Sequence, residues 1–155
     1  MEMSDCHRIF GFIIIIDMKK YCLGFMFNEK HTDVLLINKE RPEWQKGLIN
    51  GIGGKLEEGE NSISAMVREF REETGIDSNE SDWRYVVTMY RYDWEVDVYT
   101  TTSDMIFYAQ DKTDESTVVL PLGELDGFPL ISNLYWLLPM CLDKVDYNIK
   151  RVGHI

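Results

Sequence analysis

Three glutamates of this 155-residue chain are spaced so that they could hold a metal ion: Glu69, Glu72 and Glu73. On a helix, residues three and four positions apart share a face, so these carboxylates would lie side by side. Like charges at that spacing raise the cost of ionisation unless cations lie between them. Carboxylate oxygens are hard ligands that suit Mg²⁺ or Mn²⁺. The spacing therefore indicates a divalent metal site, with a solvated acidic helix face as the alternative.

A helix over residues 61–73 is predicted to present these glutamates. Asn61 and Ser62 supply side-chain oxygens that can cap a helix N-terminus, and Gly75 can end a helix. Apolar residues recur at i, i+3, i+4 and i+7, which gives one stripe for burial in a core. The stripe consists of Ile63, Met66, Val67 and Phe70. The glutamates lie outside it and stay available on another face.

A glycine-rich loop precedes the helix and is predicted to close against it. Gly53 and Gly54 have no side chain, so their backbone can approach a metal ion or a phosphate closely. Arg68 could pair with Glu60 across the turn and hold the loop on the helix. This context favours the metal site over a merely solvated acidic face.

Residues 54–76, GKLEEGENSISAMVREFREETGI, match the signature G-x5-E-x7-R-E-U-x-E-E-x-G-U, in which U is a bulky apolar residue. The fixed positions are filled by Gly54, Glu60, Arg68, Glu69, Phe70, Glu72, Glu73, Gly75 and Ile76. In this pattern the chain resembles the Nudix hydrolases. The resemblance implies an α/β/α sandwich, a mixed β-sheet flanked by helices with a catalytic loop–helix–loop, in a single domain over residues 1–155.

The resemblance also implies roles for the motif residues. Glu72 and Glu73 become the strongest ligands for Mg²⁺, with Mn²⁺ as an alternative, and Glu69 becomes a ligand or the general base. The Gly54 carbonyl is a further implied ligand, and Glu60 supports the site. The implied reaction is attack of water on a phosphorus of a nucleoside diphosphate linked to another group.

Candidates outside the motif come from two places. Family members often take another acidic ligand from a later loop, where DKTDEST offers Asp114 and Glu115. Glu115 is our choice, against an acid that serves only solubility. Lys39 and Lys55 are candidate phosphate contacts by position, and ordinary solvated lysines are the alternative.

The segment WQKGLINGIGGK resembles the MutT-like branch of the family that hydrolyses oxidised purine nucleoside triphosphates. In that branch an aromatic residue and an asparagine near N-G-x-G-G-K meet the base. Trp44 would then stack on the purine and Asn50 would hydrogen-bond it. The alternatives are a loop aromatic that covers the core and a turn residue before Gly51.

The chain departs from that branch further along. Where the branch carries W-P-D-D before Y-W, this chain has LISN before LYW, so the paired acids that read the base are missing. Asn133 could hydrogen-bond a base edge, or it could cap the last helix, which is the interpretation we favour. The leading substrate class is a purine nucleoside triphosphate, oxidised (8-oxo-dGTP-like) or not, cleaved to the monophosphate and pyrophosphate.

Other substrates stay open. Tyr92 stands where members that cleave ADP-ribose often have proline, which argues against ADP-ribose. A tyrosine near this spacing occurs in members that act on dinucleoside polyphosphates, and a cap-type substrate is a further alternative. The non-enzymatic alternative is a nucleotide-sensing module that has lost its chemistry, although all the motif carboxylates are present.

The charge balance limits the partners. Lys and Arg number 16 against 27 Asp and Glu, and the net charge of -11 disfavours binding to long nucleic acid. A small anionic nucleotide can still bind where metal cations and local basic residues neutralise it. We expect a small-molecule nucleotide as the partner, no membrane partner, and a monomer or a homodimer.

The cysteines and the N-terminal residues bear on location. Cys6, Cys22 and Cys141 are odd in number and widely spaced, which suggests neither a disulfide framework nor a zinc site and favours the cytoplasm. The apolar run of residues 9–16 is too short to span a bilayer. Residues 1–17 are either an N-terminal extension, since Met18 would make a plausible start, or an extra edge strand.

Short strands are predicted around the helix. Residues 21–27 and 34–37 should pair as a hairpin, and residues 84–92, 96–109 and 118–122 are further strands. A last helix is predicted over residues 133–142, with Pro139 as a kink or an end. In the tail, the alternation at Val145, Tyr147 and Ile149 indicates an edge strand or a contact with a second subunit.

Overall fold

The computed structural model describes residues 8–9, 12–13, 16–143 and 151–153. The strands are β1 (Arg8–Ile9), β2 (Phe12–Ile13), β3 (Lys19–Phe27), β4 (Asp33–Asn38), β5 (Ile49–Asn50), β6 (Ile52–Lys55), β7 (Arg84–Arg91), β8 (Trp94–Thr102), β9 (Thr117–Pro121) and β10 (Arg151–Gly153). β1 pairs with β2, and the other strands form one mixed sheet. Helices α1 (Ser62–Thr74) and α2 (Leu134–Leu142) flank this sheet, which confirms the expected α/β architecture.

Strand β3 is central in the sheet and positions the glycine-rich loop. The order across the sheet is β10-β7-β8-β3-β4-β5, with β6 paired to β3 and β9 paired to β4. β3 runs parallel to β8 and antiparallel to β6, so Gly54 lies opposite Cys22. The backbone that leads into the loop is therefore held by a strand from the middle of the fold.

The two faces of β3 enter separate cores because successive side chains of a strand point in opposite directions. Leu23 and Phe25 pack in the core that contains α2, whereas Cys22 and Met26 pack in the core that contains α1. The predicted stripe of α1 is confirmed: Met66 and Phe70 are fully buried, and Ile63 and Val67 pack against the same core.

The ends of α1 are set by local chemistry, as predicted. The Asn61 side chain accepts a hydrogen bond from the Ser64 N–H at 3.0 Å, which satisfies one of the free donors of the first turn. Gly75 adopts a left-handed conformation with φ of 75°, and its N–H donates to the Arg71 carbonyl at 2.9 Å. This is the glycine stop expected at a helix C-terminus.

The predicted hairpin of β3 and β4 is confirmed, but the strand predicted over residues 96–109 is wrong in its second half. β8 ends at Thr102, and a 3₁₀ helix follows over Asp104–Tyr108. The Ser103 hydroxyl accepts a hydrogen bond from the Met105 N–H at 3.1 Å, a local turn that competes with the strand ladder.

The remaining predictions concern the termini and α2. Pro139 lies inside α2, where the Asp143 N–H still donates to its carbonyl. Val145, Tyr147 and Ile149 lie outside the described residues, and the described tail strand is β10, parallel to β7. Much of the 1–17 segment also lies outside them, as does Cys6. No helix among the described residues is both long enough and apolar enough to cross a membrane.

Candidate active site

Arg68 on α1 is the centre of a charged cluster. Its Nε and Nη2 donate to the two carboxylate oxygens of Glu60 at 2.8 and 3.0 Å, a bidentate pair. Nη2 also donates to the Lys55 carbonyl at 3.3 Å. The Arg68 guanidinium, helped by the N–H of Glu57, holds the pKa of Glu60 below its ordinary value. The predicted pairing across the turn is confirmed, and it fixes the loop on the helix.

The Glu69 carboxylate lies directly against Gly54. A Cβ added at position 54 would come within 2.5 Å of the Glu69 Cδ, so no larger residue fits there without a shift. Glu69 Oε1 accepts a hydrogen bond from Arg68 Nη1 at 2.8 Å. Burial raises the pKa of Glu69, and Arg68 opposes that rise. Glycine at position 54 thus brings a carboxylate and the loop backbone together.

Glu73 is the most buried of the three glutamates, with 9% of its surface exposed. Its Oε2 is buried and has no hydrogen-bond partner among the described residues. Burial raises the pKa of Glu73 to about 8, opposed by the nearby Lys39 ammonium and reinforced by the other carboxylates. A buried carboxylate oxygen without a donor is costly unless a cation comes to lie beside it.

Glu72 lies at the exposed rim, where its Oε2 accepts from Arg68 Nη1 at 3.3 Å. Across the described ranges, no three His, Cys, Asp or Glu side chains are already arranged as a metal cage. Arg68, itself a cation, engages both Glu69 and Glu72. The orphaned oxygen of Glu73 and the close approach of Glu69 to Gly54 nonetheless fit a divalent cation with oxygen ligands.

Two residues from outside the motif lie near Glu73: Lys39, which follows β4, and Glu115, in the loop before β9. Lys39 Nζ and Glu115 Oε1 form an ion pair at 2.8 Å, and both side chains are largely buried. The charges of both residues act on Glu73, so the structure brings these two predicted residues next to the motif helix. Asp114, the other acid of that loop, instead forms an exposed pair with Arg41.

Comparison with known proteins shows the family of this chain. A family model described as the NUDIX domain matches residues 21–139. The chain belongs to the Nudix family. No curated protein matches the sequence.

Solved structures share the Nudix fold at low sequence identity. A MutT structure from work on the Aliivibrio salmonicida and Vibrio cholerae proteins is 20% identical, with a TM-score of 0.68 over 81% of this chain and 98% of that one. MutT from Bacillus halodurans is 18% identical, with a TM-score of 0.58 over 78% and 80%. The NUDIX domain of Shewanella oneidensis NrtR, solved with ADP ribose, is 18% identical, with a TM-score of 0.62 over 82% and 86%.

Membership of the Nudix family supports a hydrolase that acts on nucleoside diphosphate derivatives, and the likeness to MutT is one of fold. Nudix hydrolases generally need a divalent metal ion, typically Mg²⁺. The described charged cluster coincides with the family motif, since Gly54, Glu60, Arg68 and the three glutamates all contribute to it.

Two residues predicted to meet the base lie close together in the chain of this Nudix domain, Trp44 on the connection between β4 and β5 and Asn50 at the end of β5. Trp44 is 69% exposed, so its ring is accessible and is not a cover for the core. Asn50 is engaged locally: its Nδ2 donates to Gln45 Oε1 at 3.2 Å, and its Oδ1 accepts from the Gly51 N–H at 2.8 Å. Asn50 is the last residue of strand β5 and not a turn residue, and base contact by its side chain requires an exchange of partners.

Asn133 occupies the N-cap position of α2, but its side chain makes no capping hydrogen bond in the described structure. The capping role that we favoured from the sequence is wrong for this side chain. Its Nδ2 instead donates to the Met89 sulfur at 3.7 Å, and its buried Oδ1 finds no partner within the described ranges. The backbone of Asn133 is already helical, which turns the side chain away from the first-turn N–H groups.

Sequence reasoning missed Met89 and Gln45, the partners of Asn133 and Asn50. Nothing in the sequence pairs a strand methionine with an asparagine 44 positions away. The Lys55 side chain is exposed, while its backbone carbonyl accepts a hydrogen bond from Arg68 Nη2.

Two open cavities, each of about 680 Å³, lie among the described residues. One lies at the far end of the sheet between His31, Arg84 and Thr102 and contains none of the predicted site residues. The other runs along the outer face of α1 and includes Arg68 and Glu72. The charged cluster thus borders the second of these cavities.

Proposed function

We propose that this Nudix hydrolase is a Mg²⁺-dependent pyrophosphohydrolase that cleaves a purine nucleoside triphosphate to the monophosphate and pyrophosphate. The observation that carries the proposal is the buried Glu73 oxygen without a hydrogen-bond partner among the described residues. It lies on the helix that also presents Glu69 and Glu72 in the family motif. A solvated acidic surface would not bury one of its carboxylates.

The proposed ligands are the carboxylates of Glu69, Glu72 and Glu73 and the carbonyl of Gly54. Bound Mg²⁺, or Mn²⁺ in its place, would neutralise charge on the polyphosphate and make water more acidic. Glu69 could also take the proton of the attacking water, since its pKa is raised by burial. Arg68 orients Glu69, because Nη1 binds one of its oxygens while Nε and Nη2 stay on Glu60. Glu60 and Arg68 thus support the reaction.

Phosphate binding is assigned to Lys39, which follows β4 and lies near Glu73, and to Lys55, which ends β6 at the start of the motif loop. Lys39 would have to share its charge between a phosphate and its present partner Glu115. Lys55 has an exposed side chain at the start of the loop, where it can follow a bound polyphosphate without losing a buried contact.

Base recognition is assigned to Trp44, Asn50 and Asn133. The exposed Trp44 ring offers a stacking face. The buried Oδ1 of Asn133, unpartnered within the described residues, accepts hydrogen bonds only, so it favours a base that presents an N–H group. An 8-oxopurine presents N–H at position 7, where an ordinary purine presents a bare acceptor nitrogen. We therefore place an 8-oxo-dGTP-like nucleotide within the proposed class, as part of nucleotide pool sanitation.

ADP-ribose is the second candidate substrate. The observation in its favour is the likeness in fold to the NrtR NUDIX domain that was solved with ADP ribose. Against it, Tyr92 on the β7–β8 hairpin is largely exposed, where members that cleave ADP-ribose often have proline. We keep the cytoplasm as the proposed location and a monomer or homodimer as the proposed assembly.

The test is a substrate panel with Mg²⁺ as the added metal. It contains canonical and 8-oxo purine nucleoside triphosphates, ADP-ribose and dinucleoside polyphosphates, and every product is identified by mass. We expect a nucleoside monophosphate and pyrophosphate from the triphosphates. Preferred cleavage of ADP-ribose would replace the proposal by the second candidate. Tight nucleotide binding without turnover under Mg²⁺ and Mn²⁺ would instead show a nucleotide-sensing module.

Asn133→Leu tests the base assignment within the same panel. Leucine keeps the branched shape of the side chain but removes the acceptor, so the preference for the 8-oxo over the ordinary purine should fall by about tenfold. An unchanged preference would remove Asn133 from the proposed base site.

A further inference from the structure

Glu115 is a buried carboxylate beside the motif helix whose two oxygens are both engaged. The residue is 5% exposed. Its Oε1 accepts from Lys39 Nζ at 2.8 Å, and its Oε2 accepts from the backbone N–H groups of Glu40 at 2.6 Å and Arg41 at 3.3 Å. Both oxygens therefore already have donors, in contrast to Glu73, whose Oε2 has none among the described residues.

These donors belong to the connection between β4 and β5, which we call the 39–48 loop. The loop closes on itself at its base, because Lys39 and the residues 47 and 48 exchange backbone hydrogen bonds of 2.8 and 2.9 Å. Its tip carries the exposed Trp44, and Gln45 of the tip accepts from Asn50. Glu115, from a segment more than 70 positions further along, fastens the outgoing arm of this loop.

The contacts of Glu115 are those of an anion held by main chain and ammonium. Two successive backbone N–H groups that converge on one oxygen form a small anion-binding corner. Burial by itself would raise the pKa of Glu115, but the Lys39 ammonium and the two N–H groups outweigh it and hold that pKa below its ordinary value. If Glu115 moved to a metal ion, Lys39 would lose its partner and both N–H groups would lose their acceptor.

We propose that Glu115 is a positioning residue that anchors the 39–48 loop through Glu40 and Arg41, and that it is not a metal ligand. This assignment replaces the ligand role expected from the sequence. Only the expected effect on kinetics rests on the proposed function. That effect arises because a loosened loop holds Trp44 less well against the nucleotide.

The first test uses the wild-type protein and needs no turnover. Hydrogen exchange of the Glu40 and Arg41 amides is measured by NMR without metal and with saturating Mg²⁺. We expect both amides to be protected and to stay protected when Mg²⁺ is added. Loss of protection on addition of Mg²⁺ would show that Glu115 leaves the loop for the metal, and absence of protection without metal would show that it is no anchor.

The second test compares Glu115→Gln with Glu73→Gln, using Mn²⁺ alone as the probe in electron paramagnetic resonance titrations. Glu115→Gln should keep Mn²⁺ affinity within about twofold of wild type, whereas Glu73→Gln should lose at least about tenfold. Equal losses in the two variants would restore Glu115 as a ligand. Asp114→Asn is the matched control, since Asp114 is the neighbouring acid and its pair with Arg41 is exposed.

The kinetic readout separates positioning from general destabilisation. With a purine nucleoside triphosphate, Glu115→Gln should raise KM by about fivefold to tenfold and change kcat less than about twofold. A fall in kcat with unchanged KM would contradict loop positioning. If the wild type releases no pyrophosphate, the proposed function fails, while the exchange and Mn²⁺ tests still decide the role of Glu115.

Discussion

Replacing Arg68 by glutamine should destabilise the protein chiefly through the two largely buried carboxylates that it binds, Glu60 and Glu69. Glu60 loses a bidentate partner at 2.8 and 3.0 Å, and Glu69 loses a partner at 2.8 Å. The Arg68 side chain is 23% exposed, so water screens these contacts only in part. Breaking a buried ion pair costs about 3–5 kcal/mol, and breaking an exposed one about 0–1 kcal/mol. Discounted for the exposed quarter, the free energy of unfolding should fall by about 2–4 kcal/mol.

Arg71→Gln is the matched control, because it makes the same change on the same helix. The Arg71 side chain is 72% exposed and pairs with an equally exposed Asp77 at 3.1 Å. Its removal should change the free energy of unfolding by less than about 0.5 kcal/mol. Arg68→Lys should lie between the two, since one ammonium cannot reproduce the planar fork that binds both oxygens of Glu60.

The assay is urea unfolding, followed by the fluorescence of tryptophans that include Trp83, whose ring packs edge-to-face on Phe70 of α1 at 4.9 Å. We expect the midpoint of Arg68→Gln to shift while the dependence on urea concentration stays unchanged, which marks a loss of stability and not a change of unfolded state. If Arg68→Gln unfolds at the same midpoint as Arg71→Gln, the reasoning that makes Arg68 the centre of the cluster is refuted.

Three further predictions concern the site and the core. Glu73→Gln should lower kcat by at least about 10²-fold through loss of the buried ligand and its charge, with an unchanged circular dichroism spectrum; near-normal turnover would exclude Glu73 as an essential ligand. Trp44→Ala should raise KM for the purine nucleotide by about tenfold and leave Mn²⁺ affinity unchanged. The control Tyr108→Ala, which removes another exposed aromatic ring, should alter neither value. Identical kinetics of the two variants would reject base stacking by Trp44. Burial raises the pKa of the Cys22 and Cys141 thiols to about 12. At pH 8 an alkylating reagent should therefore label these two cysteines only as fast as the protein unfolds, as followed for each cysteine-containing peptide. Rapid labelling of the native protein would contradict their burial.

The motif helix was predictable because its signals are local. Asn61 and Gly75 act on backbone groups within a few positions, and the apolar stripe follows from the helical repeat alone. The pairing of Arg68 with Glu60 was also predictable, since the two residues are eight positions apart on either side of one turn. Short separation along the chain leaves few alternative partners.

The residues around the helix were harder to place because their partners come from distant segments. The side-chain amide of Asn133 donates to the Met89 sulfur and makes no hydrogen bond that caps α2, although the sequence favours a capping role. Glu115 is engaged by N–H groups 74 and 75 positions earlier, a contact that no local pattern encodes. The end of β8 was missed because the aromatic and β-branched composition continues beyond Thr102 into the 3₁₀ helix.

The charged cluster of Gly54, Glu60, Arg68 and Glu69 is built within a single stretch of about twenty residues, whereas the residues that we propose for nucleotide selection, Trp44, Glu115 and Asn133, lie in three separate parts of the chain. The proposed chemistry and the proposed selectivity therefore lie on separate segments. On this proposal, mutations in the surrounding segments would exchange one nucleotide for another while residues 54–73 stay unchanged. A fold arranged in this way can acquire new substrates by ordinary point mutation without passing through an inactive ancestor.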